Sequence, residues 1–274
     1  MNGSQAEKAK GFLELHRRGD PLLMPNAWDL GSATLLVSLG FQALATTSSG
    51  HAATLGRPDG AVTREEALAH AAELAGGTDV PVSADLENAF ADEPSGVAGT
   101  IALAVEAGLA GASVEDYSGA ADDIYEMGLA RERVAAAAEA AHEGPVRLVL
   151  TARAENFIRG KPDLADTIAR LVAYQEAGAD VLFAPGLKNP DDIRQVIEAV
   201  DAPVSVLAVR GAPSVSDLAA LGVARISVGG AFAFAAYGAL LEAAEELRDQ
   251  GTYGYLKRAA AGSKALRTAF ARSS

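Results

Sequence analysis

Short, almost wholly apolar runs alternate along this chain with longer stretches in which alanine, leucine and valine recur at helical spacing among charged residues. The apolar runs fall at 22–25, 43–47, 80–85, 111–115, 146–152, 181–184, 204–208 and 224–228. A strand with one face in water alternates polar and apolar side chains. Runs that are apolar throughout mark parallel strands covered on both faces. Between them the periodicity predicts helices over 29–39, 63–75, 95–107, 130–142, 163–177, 190–200, 214–221 and 231–249. Thr63 and Glu66 stand at capping-box spacing. Pro190 suits a first helical turn. Gly40, Gly108, Gly144, Gly178 and Gly222 stand where a helix must stop before the next strand.

Eight strand–helix alternations predict an α/β chain folded as a (β/α)8 TIM barrel. The barrel is expected to be a single domain over 1–274, with 250–274 as a C-terminal helical extension. An open doubly wound sheet is the alternative. The helix expected over 253–272 has no strand to follow. It either caps the barrel base or docks on a neighbouring subunit.

Composition narrows the picture. A chain of 274 residues suits one barrel, and 49% apolar residues allow a large core. The net charge of −13 disfavours nucleic acid as a partner. The absence of cysteine excludes disulfides, thiolate metal sites and a cysteine nucleophile. No apolar h-region opens the chain, and no apolar run approaches the ~20 residues of a membrane span. A cytoplasmic protein without membrane contact is the expectation.

In such a barrel the chemistry sits at the C-terminal strand ends. These ends supply Asp85, Glu87, Glu115, Asp116 and Glu155 from three successive strands. Adjacent carboxylates repel one another, and a divalent cation removes that cost. Oxygen ligands without His or Cys favour Mg2+ or Mn2+. The plainer reading is a set of helix-capping acids. Arg153 ends an apolar strand and is either a fork for a substrate carboxylate or an ion-pair partner of Glu155 or Glu115. Ser48, Ser49 and Gly50 offer hydroxyls and amides to an anionic oxygen. His51 is either a general acid–base or a loop residue, and His16, His70 and His142 read as surface residues on helices. None of the six lysines lies in a strand, which disfavours Schiff-base chemistry. Gly229-Gly230 is either a tight turn or a cradle for a phosphorylated metabolite in a metal-independent barrel.

The phrases MPNAWD (24–29), TTSSG with LGRPDG (46–60), PVSADLEN (81–88), GASVED (111–116), LTARAENF (150–157) and EAGADVLFAPG (176–186) occur in this order. Together they make the chain resemble the isocitrate lyase/phosphoenolpyruvate mutase superfamily. The resemblance implies a barrel with Mg2+ at the strand ends and a small 2-oxo acid, or its enolate, as substrate. By position it implies Asp85, Glu87 and Glu115 as metal-site acids, and Asp59 as the acid that orients metal-bound water. It implies Ser48, Ser49 and Gly50 as the loop holding the substrate carboxylate, and Arg153 as the group binding substrate anions. It further implies a homo-oligomer, dimer or tetramer, with the C-terminal helix swapped between subunits.

The chain departs from the family's lyases in one respect that matters. Their loop after the fourth strand carries Lys, Cys, Gly and His, the Cys being the acid–base group; here residues 117–125 read YSGAADDIY. The Lys and Asn of the mutase loop are also missing. Isocitrate-type cleavage is therefore disfavoured. The expectation is a Mg2+-dependent carbon–carbon lyase working through an enolate, with Arg153, Ser48 and Glu115 as catalytic groups. Tyr117, Tyr125 and His51 are candidate proton donors. The alternatives are phosphorus–carbon chemistry of the mutase or phosphonopyruvate hydrolase kind, and a catalytically reduced protein that binds 2-oxo acids.

Overall fold

The computed structural model describes residues 3–271. The eleven strands are β1 (Leu22–Met24), β2 (Asn26–Ala27), β3 (Leu44–Thr46), β4 (Val82–Asp85), β5 (Gly111–Glu115), β6 (Tyr117–Ser118), β7 (Asp123–Ile124), β8 (Val149–Arg153), β9 (Val181–Phe183), β10 (Val204–Leu207) and β11 (Arg225–Ser227). The helices are α1 (Gln5–Glu14), α2 (Leu30–Ser38), α3 (Ser48–Thr54), α4 (Arg64–Gly76), α5 (Pro94–Glu106), α6 (Met127–His142), α7 (Leu164–Glu176), α8 (Pro190–Ala199), α9 (Val215–Leu221), α10 (Ala231–Glu245) and α11 (Leu256–Phe270). A π-helical turn, Glu246–Gln250, ends the stretch expected as one helix over 231–249. Of the expected C-terminal extension, residues 272–274 lie outside the described residues.

Each expected strand is present, and all nine strands of the main sheet run parallel in the order β1-β11-β10-β9-β8-β5-β4-β3-β2. The barrel closes through a single chain segment. Pro25 has no N–H to give to a ladder, and it splits the expected first strand in two. Before it, Leu22–Met24 pairs with β11; after it, Asn26–Ala27 pairs with β3. The Pro25 carbonyl still accepts from Ala45 N–H at 3.0 Å. This handover rules out the open-sheet alternative.

Local signals account for the helices. Thr63 and Glu66 form the expected capping box, and Pro190 occupies the first turn of α8. Gly40, Gly108, Gly178 and Gly222 take left-handed φ of 84° to 105° at helix ends; Gly144 does not. Two helices went unforeseen. α3 occupies the stretch read as a loop over Ser48–Gly50, with Thr47 as its N-cap. α1 has its own capping box from Ser4 and Glu7, and its Phe12 and Ala9 plug the barrel base against Leu22, Met24, Val149 and Val181.

Three histidines correct the expectation of surface positions. His16 and His70 are buried, and His142 is half-buried against Asp180 at 2.9 Å. His16 lies just beyond α1, where the plug helix carries it under the barrel, and His70 packs beneath Trp28 and His51. No helix among the described residues is long and apolar enough to cross a membrane.

Candidate active site

One cavity of about 710 Å3 opens at the strand ends and continues down the barrel lumen. At its mouth stand Asp59, Asp85, Glu87, Glu115 and Glu155, with Arg153 and Arg159 among them. Deeper, Ser83, Ser113, Ser227 and Arg225 line it. Barrel lumens are usually filled by Val, Ile and Leu. Here small hydroxyl-bearing side chains leave the interior hollow.

Arg153, at the end of β8, is the hub of the mouth. Its Nη1 lies 2.8 Å from Asp85 Oδ1, its Nη2 2.8 Å from Glu115 Oε2, and its Nε 3.0 Å from Glu155 Oε1. Strand register helps to produce this, because Glu115 and Arg153 are paired residues of β5 and β8. Of the two roles expected for Arg153, the ion-pair role is the one the side chains adopt. Arg159 completes the arrangement, 3.0 Å from Glu115 and 3.3 Å from Glu155, with its guanidinium over the Tyr117 ring. Sequence reading missed Arg159. The signal was its position four residues after Glu155, the spacing at which side chains on one helical turn meet.

The expected reason for a metal is thereby corrected. A divalent cation was expected to offset the repulsion among these acids, yet Arg153 and Arg159 already pair with Asp85, Glu115 and Glu155. Among the described residues no three metal-type side chains are already gathered. Asp116 is also placed differently. It turns away from the mouth, accepting from Glu155 N–H at 2.8 Å, from Arg170 at 3.1 Å and from Tyr174 at 2.5 Å.

Burial pushes the Glu115 carboxyl upward, and Arg153 and Arg159 pull against it. With a guanidinium nitrogen on each carboxylate oxygen, the ionised form is the one the geometry holds. Glu87 is different. It has no cation partner among the described residues, and its pKa is pushed up to about 7 by burial, then by Asp85 and Asp59. Its φ is +50°, and Ala89 and Phe90 follow at +61° and +55°. Left-handed backbone at residues with a Cβ costs of order 1 kcal/mol or more each and persists only where surroundings impose it. Here Arg133 imposes it, donating to the Asn88, Ala91 and Asp92 carbonyls from α6.

The donors fit a hard divalent cation chemically, since all are carboxylate oxygens. The excess negative charge lies at Glu87, beside Asp85, with Asp59 exposed at the rim. Asp85 Oδ2 accepts from Ser48 N–H at 3.2 Å.

The remaining expected residues separate into two groups. Ser48 and Ser49 line the cavity. Gly50 does not: it is buried, its amide donates to Thr47 Oγ1 at 3.3 Å, and a Cβ there would meet Thr47 Cγ2 at 2.5 Å. At the expected phosphate cradle, Gly229-Gly230, the Gly229 and Val228 N–H groups both go to Asn26 Oδ1, at 2.9 and 3.0 Å, while Gly230 lines the cavity. Among the candidate proton donors, Tyr117 lines the cavity. Tyr125 is tied to Asp92 and Asn88, and His51 stacks on His70 at 3.8 Å behind the mouth. The stretch that replaces the lyase loop folds as a hairpin, Tyr117 pairing with Ile124 and Ser118 with Asp123.

Comparison with known proteins follows the same lines. Residues 12–248 match the phosphoenolpyruvate phosphomutase family. A Burkholderia cenocepacia J2315 protein, provisionally described as a lyase/mutase, has a crystal structure superposing with a TM-score of 0.89 at 51% identity, over 92% of each chain. The 2-methylisocitrate lyase of Halalkalibacterium halodurans is 31% identical over 73% of this chain and 67% of its own length. The oxaloacetate decarboxylase of Chromohalobacter salexigens is 27% identical over 90% of this chain and 87% of its own. The chain belongs to the phosphoenolpyruvate phosphomutase family, and it is an enzyme of the isocitrate lyase/phosphoenolpyruvate mutase type, whose members include carbon–carbon lyases.

Proposed function

We propose that the protein is a Mg2+-assisted lyase that breaks a carbon–carbon bond in a small 2-oxo acid. The observation that carries this reading is the Arg153-centred mouth, in which Glu87 stands beside Asp85 without a positive partner. Asp85 and Glu87 are the residues that would hold the cation, with Asp59 and Glu115 reaching it through water. The cation, when bound, supplies positive charge where the carbonyl oxygen of the substrate becomes an enolate oxygen. Mn2+ suits the same oxygen donors.

The chain's own groups do the rest. Ser48 and Ser49 present their side chains to the substrate carboxylate. Arg153 Nη1 turns to that carboxylate once Asp85 has another partner. As the carbon–carbon bond breaks, its electron pair stays on the carbon next to the carbonyl, and that carbon then needs a proton. Tyr117 is the group that would give it. Its pKa is pushed upward by its hydrogen bond to Asp122, so it is protonated at neutral pH.

The reading is tested by following pyruvate release from oxaloacetate in EDTA-treated protein, with and without added Mg2+. Turnover is expected only with the metal, and Asp85→Asn should lower kcat/KM by about 1000-fold or more. No turnover of oxaloacetate, of branched malates or of 2-methylisocitrate with either Mg2+ or Mn2+ overturns it.

The same reading includes a homo-oligomer. α10 occupies the place of the barrel's last outer helix, yet Ala233 is its only buried residue, and Phe232, Phe234, Tyr237, Leu240 and Leu241 are exposed. An apolar face of this extent on a barrel helix is covered by another copy of the chain. The C-terminal helix, α11, lies against α2 of its own chain. Leu240→Glu with Leu241→Glu should convert a dimer or tetramer to a folded monomer in light scattering.

A further inference from the structure

Arg225 sits on β11 at the floor of the hollow lumen, 2% exposed, and has no acidic partner among the described residues. Its Nε donates to Ser205 Oγ at 2.9 Å, and its Nη1 donates to Thr151 Oγ1 at 3.0 Å. The third contact is His16 Nε2, 3.3 Å from Nη1. His16 Nδ1 faces the Phe12 carbonyl at 2.8 Å, and a carbonyl only accepts, so Nδ1 carries the ring proton. Nε2 is then a neutral acceptor, in keeping with an imidazole whose pKa burial drives down to about 3. All three partners are therefore uncharged.

A guanidinium has five N–H donors. Three are used here, and the two on Nη2 have no acceptor among the described residues. A buried cation is costly unless a counter-charge reaches it, and the side that remains open is the cavity, which Arg225 lines together with Ser83, Ser113 and Ser227. Its own pKa is pulled down to about 9 by burial and by the charge of Arg153 above it. Thr151, which Arg225 touches, is two residues before Arg153 on β8. At ~3.3 Å per residue the two arginines are separated by about 7 Å along that strand, on the scale of a short dicarboxylate.

We propose that Arg225 is a second anion subsite, at the floor of the lumen, which binds the distal carboxylate of a dicarboxylic substrate whose reacting end lies at the mouth. The ligand class is a small dicarboxylate. Ser83, Ser113 and Ser227 supply hydroxyls around the same carboxylate. The assignment of the reacting end rests on the lyase reading above; the subsite itself is a matter of binding.

The test is calorimetric titration with malonate and with propionate, a dianion and a monoanion of equal carbon number. Wild-type protein should prefer malonate by on the order of 10- to 100-fold, the range of one charge-assisted carboxylate contact. Arg225→Met and Arg225→Gln should erase that preference while leaving propionate binding unchanged; Gln keeps a hydrogen-bonding side chain should Met not fold. Equal weakening of both anions, or an unchanged preference, overturns the subsite. A crystal structure of the wild-type malonate complex decides it without any variant: one carboxylate must meet Arg225 Nη2, and a malonate lying wholly at the mouth refutes the proposal. These measurements read binding alone. A protein that turned over no 2-oxo acid would fail the lyase reading and still answer this question.

Discussion

Arg153 and Arg225 share one cavity and are both buried, yet their settings are opposite. Arg153 is held by three carboxylates, Asp85, Glu115 and Glu155. Arg225 is held by a serine, a threonine and a neutral histidine. At the mouth two guanidinia pair with three of the acids, and Glu87 is left without a cation partner among the described residues. At the floor it has left a positive charge facing space. The first arrangement gives the mouth a shape even without ligands. The second is incomplete until something negative arrives. Burial alone therefore does not tell what an internal charge is for; the identity of its partners does.

The comparison is broken most sharply by removing each arginine in turn. Arg153→Met strands three buried carboxylates, and breaking a buried pair from one side costs about 3–5 kcal/mol. The loss should appear as a lower urea midpoint, with kcat/KM on the substrate of the enzyme down by about 1000-fold. Arg225→Met removes a cation that had no counter-ion, so ligand-free stability should stay within about 1 kcal/mol of wild type. Equal losses in the two variants would show that the floor is balanced like the mouth and that the contrast is false.

A smaller effect comes from His16, which belongs to the floor. Its pKa is lowered to about 3 in the folded chain from an ordinary 6.5. A lowered histidine contributes stability above the unfolded value and loses it as pH falls below about 6.5. The slope is about 1.4 kcal/mol per pH unit. Between pH 6.5 and 5 the wild type should lose about 2 kcal/mol that His16→Gln keeps, read from urea midpoints across that range. Parallel curves would mean that water reaches the imidazole and that the floor is open.

Much of this architecture was legible in the chain, and the reasons are local. Apolar runs without alternation, the Thr63–Glu66 box and Pro190 each depend on neighbours within a few residues, and each formed as expected. Much of what failed depended on partners far along the chain. His16 reads as a surface residue until Arg225, 209 residues later, comes to lie beside it. Asp116 reads like its neighbours until Arg170 and Tyr174 draw it away from the mouth. The acids were rightly seen to converge, but Arg159 was overlooked, so the charge balance came out wrong. Arg225 was visible as a charged residue in the apolar run 224–228, and a lone charge in such a run warrants the question of what answers it.

Glu87 provides the finest adjustment to the contrast, because it is a largely buried mouth acid without a cation partner among the described residues. Its pKa is raised to about 7 from an ordinary 4.5 by burial and by Asp85 and Asp59. A raised carboxyl favours the folded chain while protonated, so its contribution is complete below about pH 4.5 and is lost as pH rises through about 7. In metal-free protein Glu87→Gln should therefore match wild type at pH 4.5 and exceed it by about 1–2 kcal/mol at pH 8, after allowance for the water that still reaches the group. Urea midpoints at the two pH values measure this. Adding Mg2+ at pH 8 should close the gap, because a bound cation would supply the counter-charge that Glu87 lacks. If the gap survives saturating Mg2+, the surplus acid at the mouth is structural strain rather than a place for a cation. Mouth and floor would then both be charges without partners, differing only in sign.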